Sequence, residues 1–144
     1  MIREANHYDK DEVIEMMKEF RDSADFIEVL AEDNVAYWHK LLDHIFAGAG
    51  KVFLEEGKGL LLCAVLPTIW DDKQFALHEL AWYVRPRFRQ GSTGYRLFGA
   101  YIKYGKELKA SGRIKYFTMT KLDVSPDLDY ARYGFRKKDE NWIQ

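Results

Sequence analysis

The spacing of apolar residues changes period along the chain, and each change marks an element. Ile2 to Ala5 is a short strand candidate ahead of an acid-rich helix start at His7 to Asp11. Val13, Ile14, Met17 and Phe20 then recur at helical spacing with Glu12, Glu15, Lys18 and Glu19 opposite, which predicts an amphipathic helix ending near Asp22. A second stripe, Val35, Trp38, Leu41, Leu42, Ile45 and Phe46, predicts another helix, capped by Asp33 or Asn34 and stopped by Gly48 and Gly50. The period then shortens. Lys51 to Glu55 reads as a strand, Gly57-Lys58-Gly59 as a hairpin turn, Leu60 to Trp70 as a long buried strand, Asp71 to Gln74 as a turn, and Leu77 to Val84 as a further strand.

Helical spacing returns at Leu97, Ala100 or Tyr101, Tyr104 and Leu108, in a helix that begins near Ser92 and stops at Ser111-Gly112. Arg113 to Lys121 alternates as a strand. Ser125-Pro126-Asp127 has the form of a helix start, with a serine cap, a proline at the first position and an acid near the positive end of the dipole. That short helix is expected to end at Gly134, with Phe135 to Lys137 and Glu140 to Ile143 as terminal strands. Helices flanking a mostly antiparallel sheet give an α+β, or mixed α/β, fold. With no repeat, low-complexity tract or linker, residues 1–144 read as a single domain.

Composition adds little to this picture. A chain of 144 residues can bury roughly 70% of its unfolded surface around one core. Its 22 basic and 23 acidic residues nearly cancel, so no global field points to nucleic acid or an anionic membrane, and any electrostatic signal is local. The single Cys63, set among Leu61, Leu62, Ala64 and Val65, reads as a buried inert thiol and leaves no partner for a disulfide. No leader pattern or long apolar run is present, and the reading is a cytoplasmic protein. His39 and His44 stand five residues apart and so do not share a helix face, and no metal is expected.

One stretch carries local chemistry. From His78 to Gly112 an apolar strand runs through a basic, glycine-bearing loop into a helix, which gathers free backbone N–H groups and the positive end of a helix dipole. Such a place suits a phosphate. Gly91 and Gly94 let a ligand approach the backbone, and Arg85, Arg87, Arg89 and Arg96 are expected to add mobile positive charge.

Within that stretch Val84, Pro86, Arg89 and Gly94 resemble the strand-loop-helix motif of the GNAT superfamily, the acyl-CoA-dependent N-acetyltransferases. Ser92 stands where a family glycine is usual, and Gly91 sits one position earlier. Downstream, Tyr130-Ala131-Arg132-Tyr133-Gly134-Phe135 is similar to the family's tyrosine, three residues, Gly-Phe signature. The wording around Trp82 to Pro86 and Gly94 to Leu97 is also similar to small members carried by tailed phages.

The resemblance implies a V-shaped opening between the strand at 77–84 and the strand at 113–121, which would take acetyl-CoA as cosubstrate. Pantetheine would lie along the backbone of Trp82, Tyr83 and Val84, and the pyrophosphate on the loop and helix start from Arg89 through Gln90, Gly91, Ser92, Thr93, Gly94 and Tyr95. Tyr130 matches the family's acid toward the departing sulfur, and a phenol is protonated at neutral pH. For the base, Glu79 and His78 both lie on the right strand. Strand alternation allows one of them to face the opening unless a bulge intervenes, and the register leaves both open.

The acidic run from Asp22 to Asp33 would attract a cationic amine acceptor, a small molecule or a protein lysine; it can equally be a solvated loop. Two other readings compete with the enzyme: a GNAT-fold CoA-binding or partner-binding regulator, and a small nucleic-acid-binding domain using the arginine loop. Only nine residues follow Phe135, so part of the acceptor wall could come from a second subunit, which leaves room for a homodimer.

Overall fold

The computed structural model describes residues 1–23, 32–122, 125–142 and 144. A five-stranded sheet runs in the spatial order β1 (Arg3–Glu4), β2 (Gly50–Glu55), β3 (Gly59–Thr68), β4 (Asp71–Val84), β5 (Tyr116–Thr118). The first four strands pair antiparallel, and β5 pairs parallel with β4. Two helices, α1 (Lys10–Ser23) and α2 (Val35–His44), cover one face, and α3 (Thr93–Ala110) covers the other.

Strand alternation sorts the core between these layers. Val52, Leu54, Leu60 and Leu62 pack with Val13, Ile14 and Met16 of α1 and Leu42 of α2. Phe53, Leu61, Cys63 and Leu77 point the other way, onto Leu97, Tyr101, Tyr104 and Leu108 of α3. The expected helical stripes are therefore the observed contact faces. Asn34 caps α2, its side chain accepting from the Tyr37 N–H at 3.1 Å.

Several expected elements are placed differently. The turn expected at Asp71 to Gln74 falls at Ile69 and Trp70, and Asp71 already pairs with Thr68, so β4 is fourteen residues long. The strand expected over Arg113 to Lys121 shrinks to Tyr116–Thr118 because only Ala76, Leu77 and His78 of β4 face it in register. The Ser125-Pro126-Asp127 helix does not form: the Ser125 hydroxyl accepts from the Leu122 N–H at 2.8 Å, and the only helical turn there is 3-10, Tyr130–Tyr133, ending on Gly134 in the left-handed region (φ 89°). Among the described residues no strand follows β5, so neither Phe135 to Lys137 nor Glu140 to Trp142 is a strand. Ile143, and 24–31 of the acidic run, lie outside the described residues.

Two glycines of α3 give opposite forecasts. A Cβ on Gly105 would stand 2.6 Å from the Phe117 ring, whereas one on Gly99 would meet nothing within 4 Å. Helix propensity alone favours alanine at either site by about 1 kcal/mol. Chemical denaturation should show Gly99→Ala stabilised by about that amount, and Gly105→Ala destabilised by about 1–3 kcal/mol through overpacking against β5.

Candidate active site

The β4–β5 ladder ends at His78 and Thr118, and from there the two chains diverge. One residue later the pairing of β4 with β3 shifts: Cys63 faces Glu79 while Leu62 faces Ala81, so Leu80 is an extra, bulged residue. The bulge changes the alternation. Leu77 and Glu79 point to the α3 side, as do Trp82 and Val84, while Ala81 and Tyr83 join the α1–α2 side.

This bulge separates the two candidates for the base. Glu79 is buried, with 8% of its surface exposed, and its carboxylate accepts from the Thr120 N–H at 3.2 Å across the opening. Burial pushes its pKa up to about 7, opposed in part by that hydrogen bond. His78 faces the other layer, with Nδ1 3.1 Å from the Thr118 hydroxyl and its ring edge-on to Tyr116. Burial and then the charge of Lys138 lower its pKa.

Beyond Glu79 the free edge of β4 borders a cleft of about 250 Å³. Trp82, Tyr83, Val84, Arg89, Gly91, Gly94 and Tyr95 line it; Gln90, Ser92 and Thr93 do not. Phe20 and Ser23 from the end of α1 close one side, and Ser125, Pro126 and Leu128 another. At the start of α3 the first amide with a backbone acceptor is that of Arg96, bonded to the Ser92 carbonyl at 3.0 Å; among the described residues those of Gly94 and Tyr95 have none. The indole N–H of Trp82 is likewise buried without an acceptor there. Unpartnered donors around a cleft at a helix N-terminus fit a phosphate-bearing ligand with an amide-rich arm, the chemistry of CoA.

The arginines divide, which corrects the expectation of four mobile charges. Arg85 is held by Glu19 (Nε to Oε2, 3.1 Å) and by the Gly57 carbonyl. Arg96 is held by Glu55, with 2.8 Å between Nη2 and Oε1. Arg89 bonds the Val84 carbonyl at 2.8 Å and lies over the Tyr83 ring, and Arg87 is exposed beside Phe88. Two of four cations are thus structural, which weakens the nucleic-acid reading. The acidic run is also partly neutralised where it is described: Arg21 pairs with Asp22 and Asp33, and Lys18 with Asp33.

Tyr130 and Glu79 are absent from the cleft lining. Tyr130 is half-buried and packs edge-on to Phe98 at 5.8 Å, and Phe98 stacks on Trp82 at 5.3 Å. Its hydroxyl donates to the Pro126 carbonyl at 3.1 Å, and burial, followed by the charge of Glu79, pushes its pKa up to about 12. Sequence reasoning missed Phe98, the ring on which Trp82, Tyr130, Tyr133 and Phe135 converge. It also missed Glu55, a buried carboxylate that ties the first turn of α3 to the β2–β3 turn through Arg96 and Lys58 and is held at about 2, chiefly by Arg96. Phe98 adjoins Leu97 on a strong apolar stripe, a readable signal; Glu55 at a strand end gives none.

The Glu79 carboxyl ties stability to pH. The folded protein keeps a proton that the unfolded chain, titrating near 4.5, has already released, so this group's contribution is greatest below 4.5 and is lost as pH rises to about 7. Glu79→Gln removes the dependence. Denaturation at pH 5 and pH 8 should show the variant gaining on the native chain by on the order of 2 kcal/mol at the higher pH.

No protein-family model matches the chain, and no curated protein sequence does. Solved structures do. A predicted acetyltransferase from Clostridium acetobutylicum, solved with acetyl-CoA, superposes with a TM-score of 0.68 at 16% identity over 100% of this chain and 94% of its own. A transcriptional regulator from Bacillus halodurans reaches 0.71 at 16% identity over 100% and 97%. An aminoglycoside acetyltransferase from an uncultured soil metagenomic sample, in complex with sisomicin, reaches 0.65 at 17% identity over 100% and 92%. Identities this low establish the fold alone. From β1 through the splayed β4–β5 pair to the Tyr130–Phe135 turn, the chain takes the fold of the GNAT acetyltransferases.

Proposed function

We propose that the protein is an acetyl-CoA-dependent N-acetyltransferase acting on a primary amine by direct attack in a ternary complex. The observation that carries the reading is the coincidence, in one fork, of a buried carboxylate titrating near neutrality, an open strand edge and unpartnered amides at the start of α3. An amine must lose a proton before it attacks, and a base with a pKa close to ambient pH removes it efficiently.

In this reading Glu79, as carboxylate, takes a proton from the acceptor ammonium directly or through water. The freed amine attacks the thioester carbonyl, the C–N bond forms and the C–S bond breaks. Tyr130 leaves Pro126 to give its proton to the departing thiolate and is reprotonated from the amide nitrogen, which carries one proton in excess. The products are the acetylated amine, CoA and one proton. The Trp82 to Val84 edge holds the pantetheine arm, and the unpartnered amides of Gly94 and Tyr95 hold the pyrophosphate.

The neighbours include a structure solved with acetyl-CoA and one with the aminoglycoside sisomicin, which supports a small polyamine-like acceptor as the first class to screen. A second reading, a CoA-binding regulator without turnover, is favoured by the likeness to a transcriptional regulator and by the Tyr130 hydroxyl being engaged with Pro126. Thiol release from acetyl-CoA across an amine panel separates the two.

For the enzyme, kcat/KM should rise with pH through about 7 as Glu79 ionises. Glu79→Gln should lose about 10²–10⁴-fold in kcat with CoA affinity retained, as expected for a general base. Tyr130→Phe should lower kcat in the same way, whereas Gly94→Trp should abolish CoA binding and Ser92→Gly should be tolerated. Unchanged turnover in both Glu79→Gln and Tyr130→Phe would remove the assignment of acid and base.

A further inference from the structure

The loop that joins β4 to α3 is fastened at both ends to the turn between β2 and β3. At its start, the Arg85 N–H donates to the Lys58 carbonyl at 2.8 Å, and Arg85 Nη1 to the Gly57 carbonyl at 3.2 Å. At its end, Arg96 reaches back to Glu55, the last residue of β2, with Nη2 2.8 Å from Oε1 and Nη1 beside Oε2. Lys58 Nζ stands 3.2 Å from the same carboxylate, and the hydroxyl of the buried Thr93 stands 3.5 Å from it. The turn itself lies hard against β4: a Cβ on Gly59 would stand 2.7 Å from the Tyr83 carbonyl.

The first turn of α3 has two faces. Thr93 and Arg96, three residues apart, share the one turned to Glu55, whereas Gly94 and Tyr95 line the cleft and carry the amides without backbone acceptors. A clamp on the first face therefore fixes where the amides on the second face point. Ser92, where the motif usually carries glycine, also accepts from Arg96, at 3.0 Å to Nε. That bond ends on a neutral hydroxyl, while the paired bonds between Arg96 and the Glu55 carboxylate are charge-assisted and stronger. Arg96 holds the Glu55 pKa at about 2, so the clamp stays charged at neutral pH. Two cations meet its charge, and it sets the turn without repelling an anion. Amides already aimed at their ligand bind more tightly than amides that must first be ordered, in proportion to the population that is ready.

We propose that Glu55 is the positioning residue of the anion seat: from the end of β2 it locks the first turn of α3, through Arg96 and Thr93, so that the Gly94 and Tyr95 amides are set for the pyrophosphate before the ligand arrives. Glu55 touches no part of the ligand. The identity of the anion rests on the acetyltransferase reading; the fixing of the turn does not.

The test uses two variants. Glu55→Gln keeps the shape of the side chain and removes its charge. Arg96→Gln opens the same tie from a side chain that is 40% exposed, so the test survives if the buried substitution prevents folding. In ligand-free protein, the amide of residue 96, which bonds the Ser92 carbonyl, should exchange with solvent faster in both variants than in the native chain. Both should bind CoA at least about tenfold more weakly, while pantetheine, which lacks the pyrophosphate, binds as it does to the native protein. Folded variants that bind CoA as tightly as the native chain overturn the proposal. So do variants in which CoA and pantetheine weaken by the same factor, since that marks a role in the fold at large. Native protein that fails to bind CoA would instead defeat the acetyltransferase reading, and the exchange rate at residue 96 would still decide whether Glu55 fixes the turn.

Discussion

The proposed site depends on a sheet that stops being a sheet. β4 pairs with β3 from Phe75 to Val84 except at the Leu80 bulge, but only over Ala76 to His78 with β5. An unpaired strand edge inside a domain leaves amides and carbonyls without partners, an arrangement that costs stability unless something else meets them. Here the Tyr101 phenol meets the Thr118 carbonyl at the last rung and the Glu79 carboxylate meets the Thr120 amide beyond it, and the remainder face the cleft that runs to the start of α3. The bulge at Leu80 belongs to the same constraint, since it turns Trp82 and Val84 onto the face that already carries Glu79.

Burial raises the pKa of both buried carboxyls here, and their partners decide the outcome. Glu79 is raised toward neutrality because little besides one backbone amide compensates its charge, while Glu55, equally buried, is held low by Arg96 and Lys58. The first is poised to exchange a proton, and the second fixes the helix turn whose amides line the cleft. Cys63, opposite Glu79 on β3, is pushed up to about 12 by burial and stays an inert thiol, as its apolar surroundings in the sequence indicate.

Legibility followed from local patterning. Helical stripes and the hairpin glycines place α1, α2, α3, β2 and β3 with small boundary shifts, because each has a strong period and a cap or breaker, whereas β4 starts six residues earlier than its apolar pattern, through the segment expected as a turn. The C-terminal third was misread where local and tertiary signals diverge. Ser125-Pro126-Asp127 carries every mark of a helix start, yet Ser125 spends its oxygen on the Leu122 amide. The β5 pattern spans nine residues, and tertiary splay leaves three paired. At the site, the loop and strand residues were readable from the motif, whereas the choice between His78 and Glu79 required a bulge that alternation cannot reveal. Which arginines are free depended on Glu19 and Glu55, each distant in sequence from the cation it holds.

The central claim is that the free β4 edge and the α3 amides together form one CoA seat. Titrating CoA into isotopically labelled protein and following backbone amide shifts tests it most directly. The account predicts saturable shifts concentrated at Trp82 to Val84 and Gln90 to Tyr95, with Lys51 to Glu55 on the far strand unmoved. Absence of saturable shifts, or shifts centred away from those two segments, would contradict it.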